Sequence, residues 1–326
     1  VNVLQRAGLL PDGQFLAAAH LVRDEVFWGR WGRRALLALG AGQVLAGIIF
    51  FFAYNWSELS DLAKFAVVEG GILLAVAAAL IAGIDKIAGQ VLLIAASVLT
   101  GVLLAVIGQA YQTGADVYEL FLAWAVLILP WCFAARSAVL WVLWLVIAET
   151  ALGLYGGQVL VPLEIATPTE TSVLVGVTVA LALAVRELAV RRDFAWAGAH
   201  WTRLALLAAA TLLLFLPAAG AVLGWEMGPR DALSILVFLV AAAVGAWVYW
   251  RKLPDFAALV ILIAFADAFL ICVGFRLINE LIGFDAMFDG GAVLATGILI
   301  AWALGATGGA AKLMRHLHAE LKGATT

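Results

Sequence analysis

Long apolar runs alternate with short polar segments along the whole chain. The runs fall at approximately 35–54, 62–84, 88–109, 117–135, 137–156, 171–190, 203–224, 231–250, 256–275 and 290–310. Each is close to the roughly 20 residues that a helix needs to cross about 30 Å of hydrocarbon. The pattern predicts an all-α polytopic integral membrane protein with about ten transmembrane helices. Before the first run, residues 1–34 read as a cytoplasmic amphipathic helical segment. Pro11-Asp12-Gly13 forms its turn, and Phe15, Ala19, Leu21 and Val22 form a modest apolar face. Residues 35–156 and 157–310 then form two five-helix halves, and 311–326 is a basic cytoplasmic tail. An odd number of spans per half makes the second half inverted relative to the first, so the count permits a five-plus-five inverted repeat. No internal sequence similarity supports that repeat.

Composition agrees with the pattern. The chain has 326 residues, is 65% hydrophobic and 13% charged, and has a mean hydropathy of +1.08. A soluble domain carries roughly 25% charged residues. Charges at Asp12, Arg23, Asp24, Glu25, Arg30, Arg33 and Arg34 precede the first run, which does not fit a cleaved signal peptide. Cys132 and Cys272 fall near opposite membrane faces, so neither a disulfide nor a cysteine metal site is expected. His316 and His318 point about 200° apart on a helix and read as solvated tail residues, not metal ligands.

Charge placement sets the orientation. With both termini cytoplasmic, only Lys64, Arg230 and Arg276 fall on the outer side, and the other 16 of the 19 Lys and Arg fall on the inner side. That is a strong positive-inside bias. The outer loops are acidic, with Glu58, Asp61, Asp116, Glu119, Glu164, Glu170, Glu226, Asp231, Glu280, Asp285 and Asp289. These acids either favour cations at the outer face by simple field effects or reflect loops that must stay polar and exclude basic residues.

Three acids lie within runs: Glu69, Glu149 and Asp267. Ionisable groups at such depth are expensive and often functional. All three sit roughly 10–13 Å below the outer face at 1.5 Å per residue, so a shared cation or proton site is one expectation. The other is that a neighbouring helix satisfies each acid separately. A dense polar patch, Gly108 to Phe121, interrupts the third and fourth runs. Gln109 and Gln112 share a helix face if the third span continues that far. Asp116 is placed to cap the fourth span. Tyr111 and Tyr118 suit the membrane interface. The patch reads either as an interfacial hairpin or, with Asn55, Trp56 and Lys64, as a polar pocket at the outer mouth. Lys64 beside Asp61 and Glu58 reads first as a salt bridge. Gly297, Ala301, Gly305 and Gly309 form a stripe at four-residue spacing in the last span, suited to close helix packing within the chain or across a dimer. The tryptophans, Trp131, Trp141, Trp144, Trp250 and Trp302 among them, suit interfacial anchoring or lipid-facing packing.

No phosphate-binding loop, zinc-protease helix or nucleophile elbow occurs, and the basic residues form no nucleic-acid surface. The sequence therefore suggests no enzyme and no cofactor.

Leu4-Gln5-Arg6-Ala7-Gly8-Leu9-Leu10, Phe51-Phe52-Ala53-Tyr54-Asn55-Trp56, Lys64, and Gly108-Gln109-Ala110-Tyr111-Gln112-Thr113 with Trp124 resemble the bacterial predicted membrane proteins of domain of unknown function 2157. The resemblance covers about residues 4–150 and leaves the second half unassigned. It implies a polytopic inner-membrane protein whose Asn55, Trp56, Lys64 and 108–113 patch belong to one outer-face arrangement. It brings no activity, substrate or cofactor.

The resulting expectation is a transporter-like protein. Its outward-facing pocket of Asn55, Trp56, Lys64, Gln109, Tyr111, Gln112 and Tyr118 would take a small or lipidic ligand, with Glu69, Glu149 and Asp267 as coupling acids. The competing expectation is a non-enzymatic accessory subunit that holds a membrane-protein partner or a second copy through its last helix.

Overall fold

The computed structural model describes residues 58–111, 114–224, 228–282 and 291–323, with single positions at 29, 32, 36, 39, 40, 43, 47, 50, 54 and 56. Nine helices among the described residues are long and apolar enough to cross a membrane. In chain order they are α1 Asp61–Ala82, α2 Ile87–Tyr111, α3 Val117–Ala135, α4 Ala138–Tyr155, α5 Pro168–Arg191, α6 His200–Leu223, α7 Pro229–Trp247, α8 Phe256–Ile282 and α9 Gly291–Gly323. A π-helical turn extends α4 (Gly156–Leu160) and another extends α7 (Val248–Lys252), and a 3-10 turn (Ala195–Gly198) precedes α6. No strand occurs among the described residues. The chain is an all-α polytopic membrane protein. Apart from the single positions, the expected first span and the 1–34 segment lie outside the described residues. The chain divides into two compact units, Val1–Ala66 and Val67–Thr326.

Helix starts follow local chemistry. At α5, the Thr167 hydroxyl accepts from the Glu170 N–H at 3.2 Å, and the Thr167 N–H donates to the Glu170 carboxylate at 2.8 Å. Pro168 occupies the first helical position, where a missing N–H does no harm. At α7, the Gly228 N–H donates to Asp231 Oδ2 at 3.0 Å, ahead of Pro229. Asp116 does stand at the N-cap of α3, but its side chain makes no capping bond. The Tyr118 N–H instead donates to Gln158 Oε1 in the π turn after α4, at 3.2 Å. A residue 40 positions away thus supplies part of the cap that sequence order assigns to a neighbour.

Hydroxyls within the spans bond back to their own helix, which removes an orphan donor from a medium without water. Ser97 donates to Leu93 O at 2.8 Å, Thr100 to Ala96 O at 2.9 Å and Thr211 to Leu207 O at 2.7 Å. Apolar clusters then tie the helices of the second unit together. Ala79, Leu93, Cys132, Ala135 and Leu140 join α1 to α4, whereas Leu214, Ala218, Val222, Phe238 and Phe269 join α6, α7 and α8.

Tryptophans also act between helices, Trp302 doing so while it stays exposed. On α3, Trp124 Nε1 donates to Ser97 O on α2 at 2.7 Å, and its ring covers Gly101, four residues on. On α9, Trp302 Nε1 donates to Leu270 O on α8 at 2.9 Å, and its ring covers Gly274, again four residues on. In each case the glycine leaves room for the indole, and the carbonyl one turn earlier accepts its N–H. Trp144 Nε1 similarly reaches Ala125 O across the α3–α4 pair at 3.0 Å. An indole N–H has few partners in hydrocarbon, and a neighbouring helix carbonyl supplies one.

The last helix continues into the residues expected as the basic tail. α9 runs for 33 residues to Gly323, about 50 Å at 1.5 Å per residue. Leu317 is buried in a cluster with Tyr249, Ala258 and Leu259, and the His318 ring lies 4.6 Å from the Phe256 ring. Leu313, Met314 and Leu317 continue the apolar spacing of the span, so the helix does not stop where hydropathy falls.

Candidate functional site

The densest polar arrangement lies where α5 and α7 end and α6 and α8 begin. Arg186 and Glu187 come from the last turns of α5, and His200, Thr202 and Arg203 from the first turn of α6. Tyr249 comes from the π turn closing α7, and Asp255 stands just before α8. Arg203 holds Glu187 with two parallel bonds, Nε to Oε1 at 2.8 Å and Nη2 to Oε2 at 2.9 Å. Its third contact, Nη1 to Asp255 Oδ2, is 2.9 Å. Arg186 donates to Glu187 Oε1 at 2.8 Å, to Thr202 Oγ1 at 3.2 Å and to Ala199 O at 2.9 Å. Tyr249 donates to Glu187 Oε1 at 3.4 Å, and its ring faces the Arg203 guanidinium at 5.6 Å. The planar fork of arginine suits this geometry.

The network is nearly closed to solvent. Side-chain exposure is 9% for Arg186, 11% for Glu187, 16% for Arg203 and 7% for Asp255. Two arginines meet two carboxylates, so the charges cancel. His200 joins the network with Nε2 at 2.8 Å from Asp255 Oδ2. Burial works against the ionised form of Asp255. Bonds from Arg203, the Ala258 N–H and His200 outweigh it and hold the carboxyl below its ordinary value of 3.8.

Behind the network a cleft of about 410 Å³ runs between α5, α6, α7 and α8. Its walls are mostly apolar, with leucines interspersed among the small residues Ala180, Ala184, Ala210, Ala241, Ala242 and Gly245. Polar groups gather at one end, where Glu187, Arg191 and Tyr249 line it. From Ala180 to Arg191 it follows α5 for about 16 Å. Leu188 on α5 and Val244 on α7, both in the lining, are 57% and 55% exposed, so the cleft opens between those helices. A channel this apolar with one polar end suits an amphiphile better than an ion or a sugar.

The residues singled out by sequence are distributed differently. Lys64 pairs with Asp61 at 3.2 Å and lies 5.9 Å from the centre of the Trp56 ring, all within the first unit. Asn55 and Gln112 lie outside the described residues. Gln109 and Tyr111 are exposed on the last turn of α2. Tyr118 packs edge-on against Tyr155 at 5.2 Å, at one end of a separate 400 Å³ apolar cleft between α3 and α4. Glu149 accepts from the Thr178 hydroxyl of α5 at 2.7 Å, and Asp267 accepts from Thr307 of α9 at 3.2 Å. Glu69 is exposed on α1. None of the three acids lines either cleft, and Glu149 and Asp267 engage different helix pairs. Gly297, Ala301, Gly305 and Gly309 form an exposed row, and a methyl group added at any of its three glycines would meet nothing within 4 Å.

Sequence reasoning treated Arg186 and Arg203 only as markers of side, and passed over Glu187, Tyr249 and Asp255. The usable signal was an acid embedded among basic residues at span ends, since acids are otherwise concentrated in the opposite loops.

Residues 3–141 match the family described as "Predicted membrane protein (DUF2157)". No curated protein and no solved structure matches the chain. The charged network and the cleft behind it lie beyond the matched residues.

Proposed function

We propose that the protein is a non-enzymatic, transporter-like protein of the bacterial cytoplasmic membrane, and that the α5–α8 cleft is its site for an amphiphilic ligand. The observation that carries this reading is the cleft itself: apolar walls, an opening between two helices, and charged groups confined to one end. The charged network acts as the clamp that holds that end closed. The basic end faces the cytoplasm on this reading, because 16 of the 19 Lys and Arg fall on the side assigned as inner. Glu149 and Asp267 keep helix pairs together through their threonine partners.

A saturable binding assay tests the site. Purified protein titrated with a pyrene-labelled fatty acyl probe should bind it, and Ala184→Phe should weaken binding at least tenfold by filling the cleft. Ala184 is exposed in the cleft wall, so the larger ring is compatible with folding. Unchanged binding in Ala184→Phe and in Ala242→Phe would remove the cleft as the site.

The second reading, an accessory subunit, is favoured by the exposed row on α9. Small residues that approach nothing in the described chain are suited to another helix. On that reading a second membrane polypeptide, or a second copy, covers the row.

A further inference from the structure

We infer that the cleft selects an anionic phospholipid, with one acyl chain between α5 and α7 and the phosphate against Arg191 and the Arg251–Lys252 turn. The inference rests on the reading of the cleft as a ligand site and adds the identity of the headgroup.

Three observations carry it. The only acid in the lining, Glu187, is already neutralised by Arg203 and Arg186 at 2.8–2.9 Å. Arg191 in the same lining is exposed and has no carboxylate partner among the described residues, so the mouth carries uncompensated positive charge. On the facing side, the turn that gives Tyr249 and Leu253 to the lining also carries Arg251 and Lys252. Both are exposed, and among the described residues their partners are rings, not acids. Arg251 lies 4.3 Å from the Trp250 ring centre and Lys252 lies 5.3 Å from that of Trp247. A cation on an aromatic face keeps its full charge and remains available to a phosphate.

Geometry decides in favour of lipid over a soluble phosphate. Arg191 sits at the mouth of an apolar channel about 16 Å long by the helical rise, and Arg251 and Lys252 lie on the turn that supplies Tyr249 and Leu253 to its lining. A free phosphate would leave that channel empty, whereas a phospholipid fills it while its headgroup stays at the interface. Arginine and lysine at this level attract anionic lipid and do not discriminate among neutral ones.

The test is native mass spectrometry of the full chain in mild detergent, titrated with phosphatidylglycerol or phosphatidylcholine of identical chains, and with inorganic phosphate. Wild type should retain phosphatidylglycerol in preference to phosphatidylcholine and should retain no phosphate. Arg191→Gln should lower that preference about fivefold, and Arg191→Gln with Arg251→Gln should abolish it. Both substitutions are at exposed positions, and a melting temperature confirms that the variants fold. Equal retention of the two lipids by wild type overturns the headgroup assignment. If Ala184→Phe still displaces both lipids, the cleft stands as a ligand site without selectivity. If Ala184→Phe displaces neither, the site itself falls. Retention of phosphate alone, abolished by Arg191→Gln, would replace the lipid with a soluble anion.

Discussion

At the scale of single residues, the two Trp–Gly pairs make the sharpest claims about stability. A Cβ at Gly101 would stand 2.5 Å from the Trp124 ring, and the indole is held by its bond to Ser97 O. Gly101→Ala should therefore cost about 1–3 kcal/mol through overpacking, and Gly274→Ala should behave alike against Trp302. Thermal unfolding in detergent reads both; an unshifted midpoint for Gly101→Ala would mean that Trp124 swings away freely. Asp255 gives a pH signature. Its carboxyl titrates lower in the folded protein than in the unfolded chain, so its stabilising contribution is complete above the unfolded value. That contribution fades as pH falls below 3.8 toward the folded value. Asp255→Asn should lower stability at pH 7 and flatten its loss as pH falls below 3.8. A variant with an unaltered acid limb would show that Asp255 contributes nothing to it. The network escaped the sequence for a simple reason: its partners lie 16, 52, 55 and 62 residues apart. Composition marks Arg203 as a charge at a span end, but nothing local says that Glu187 and Asp255 converge on it.

At the scale of elements, span positions were legible because twenty apolar residues between polar ends leave the backbone one way to satisfy itself in hydrocarbon. The expected 117–135 coincides with α3, Val117–Ala135, and the expected 203–224 differs from α6, His200–Leu223, by one turn. Ends drifted where polar residues stay helical, as in α9, whose Lys312, Arg315 and His316 continue the helix beyond the apolar run. The 108–121 patch shows the same limit. Its break was legible from Gly114, at a φ of 62°, whereas the Gln158 bond that helps cap α3 was not. The charged network is what fastens these elements at the basic end. Arg203→Ala would leave Glu187 short of its main partner and Asp255 with only His200 and the Ala258 N–H, at a cost of about 3–5 kcal/mol. Arg203→Lys should rescue little, because an ammonium cannot reproduce the two parallel bonds to Glu187. Replacing Arg186, Glu187, Arg203 and Asp255 together by leucine should recover much of the loss, because no buried charge is then left unpaired. Full rescue by lysine in a chemical or thermal melt would show that charge alone matters and that the fork geometry does not.

At the scale of the whole molecule, the two functional readings use different surfaces. The cleft lies inside the α5–α8 bundle, and the small-residue row lies on the exposed side of α9. Ala301→Leu and Gly305→Leu put bulk onto that row without touching the cleft or the network. Neither substitution meets an obstacle within the described chain: Gly305 has open space around it, and Ala301 is exposed. If the row is a seam against another polypeptide, the pair should shift the mass of the detergent-solubilised complex and leave the folded chain as stable as before. If the row faces lipid, mass and stability should both stay unchanged, because leucine is at home among acyl chains. Light scattering with detergent subtraction distinguishes these outcomes. A fall in melting temperature with unchanged mass would point to a third arrangement, in which residues of this same chain outside those described cover the row. The acyl-probe assay on the same double variant separates the readings further. Undiminished binding together with a lost partner would assign the two surfaces to two tasks, ligand holding in α5–α8 and assembly through α9.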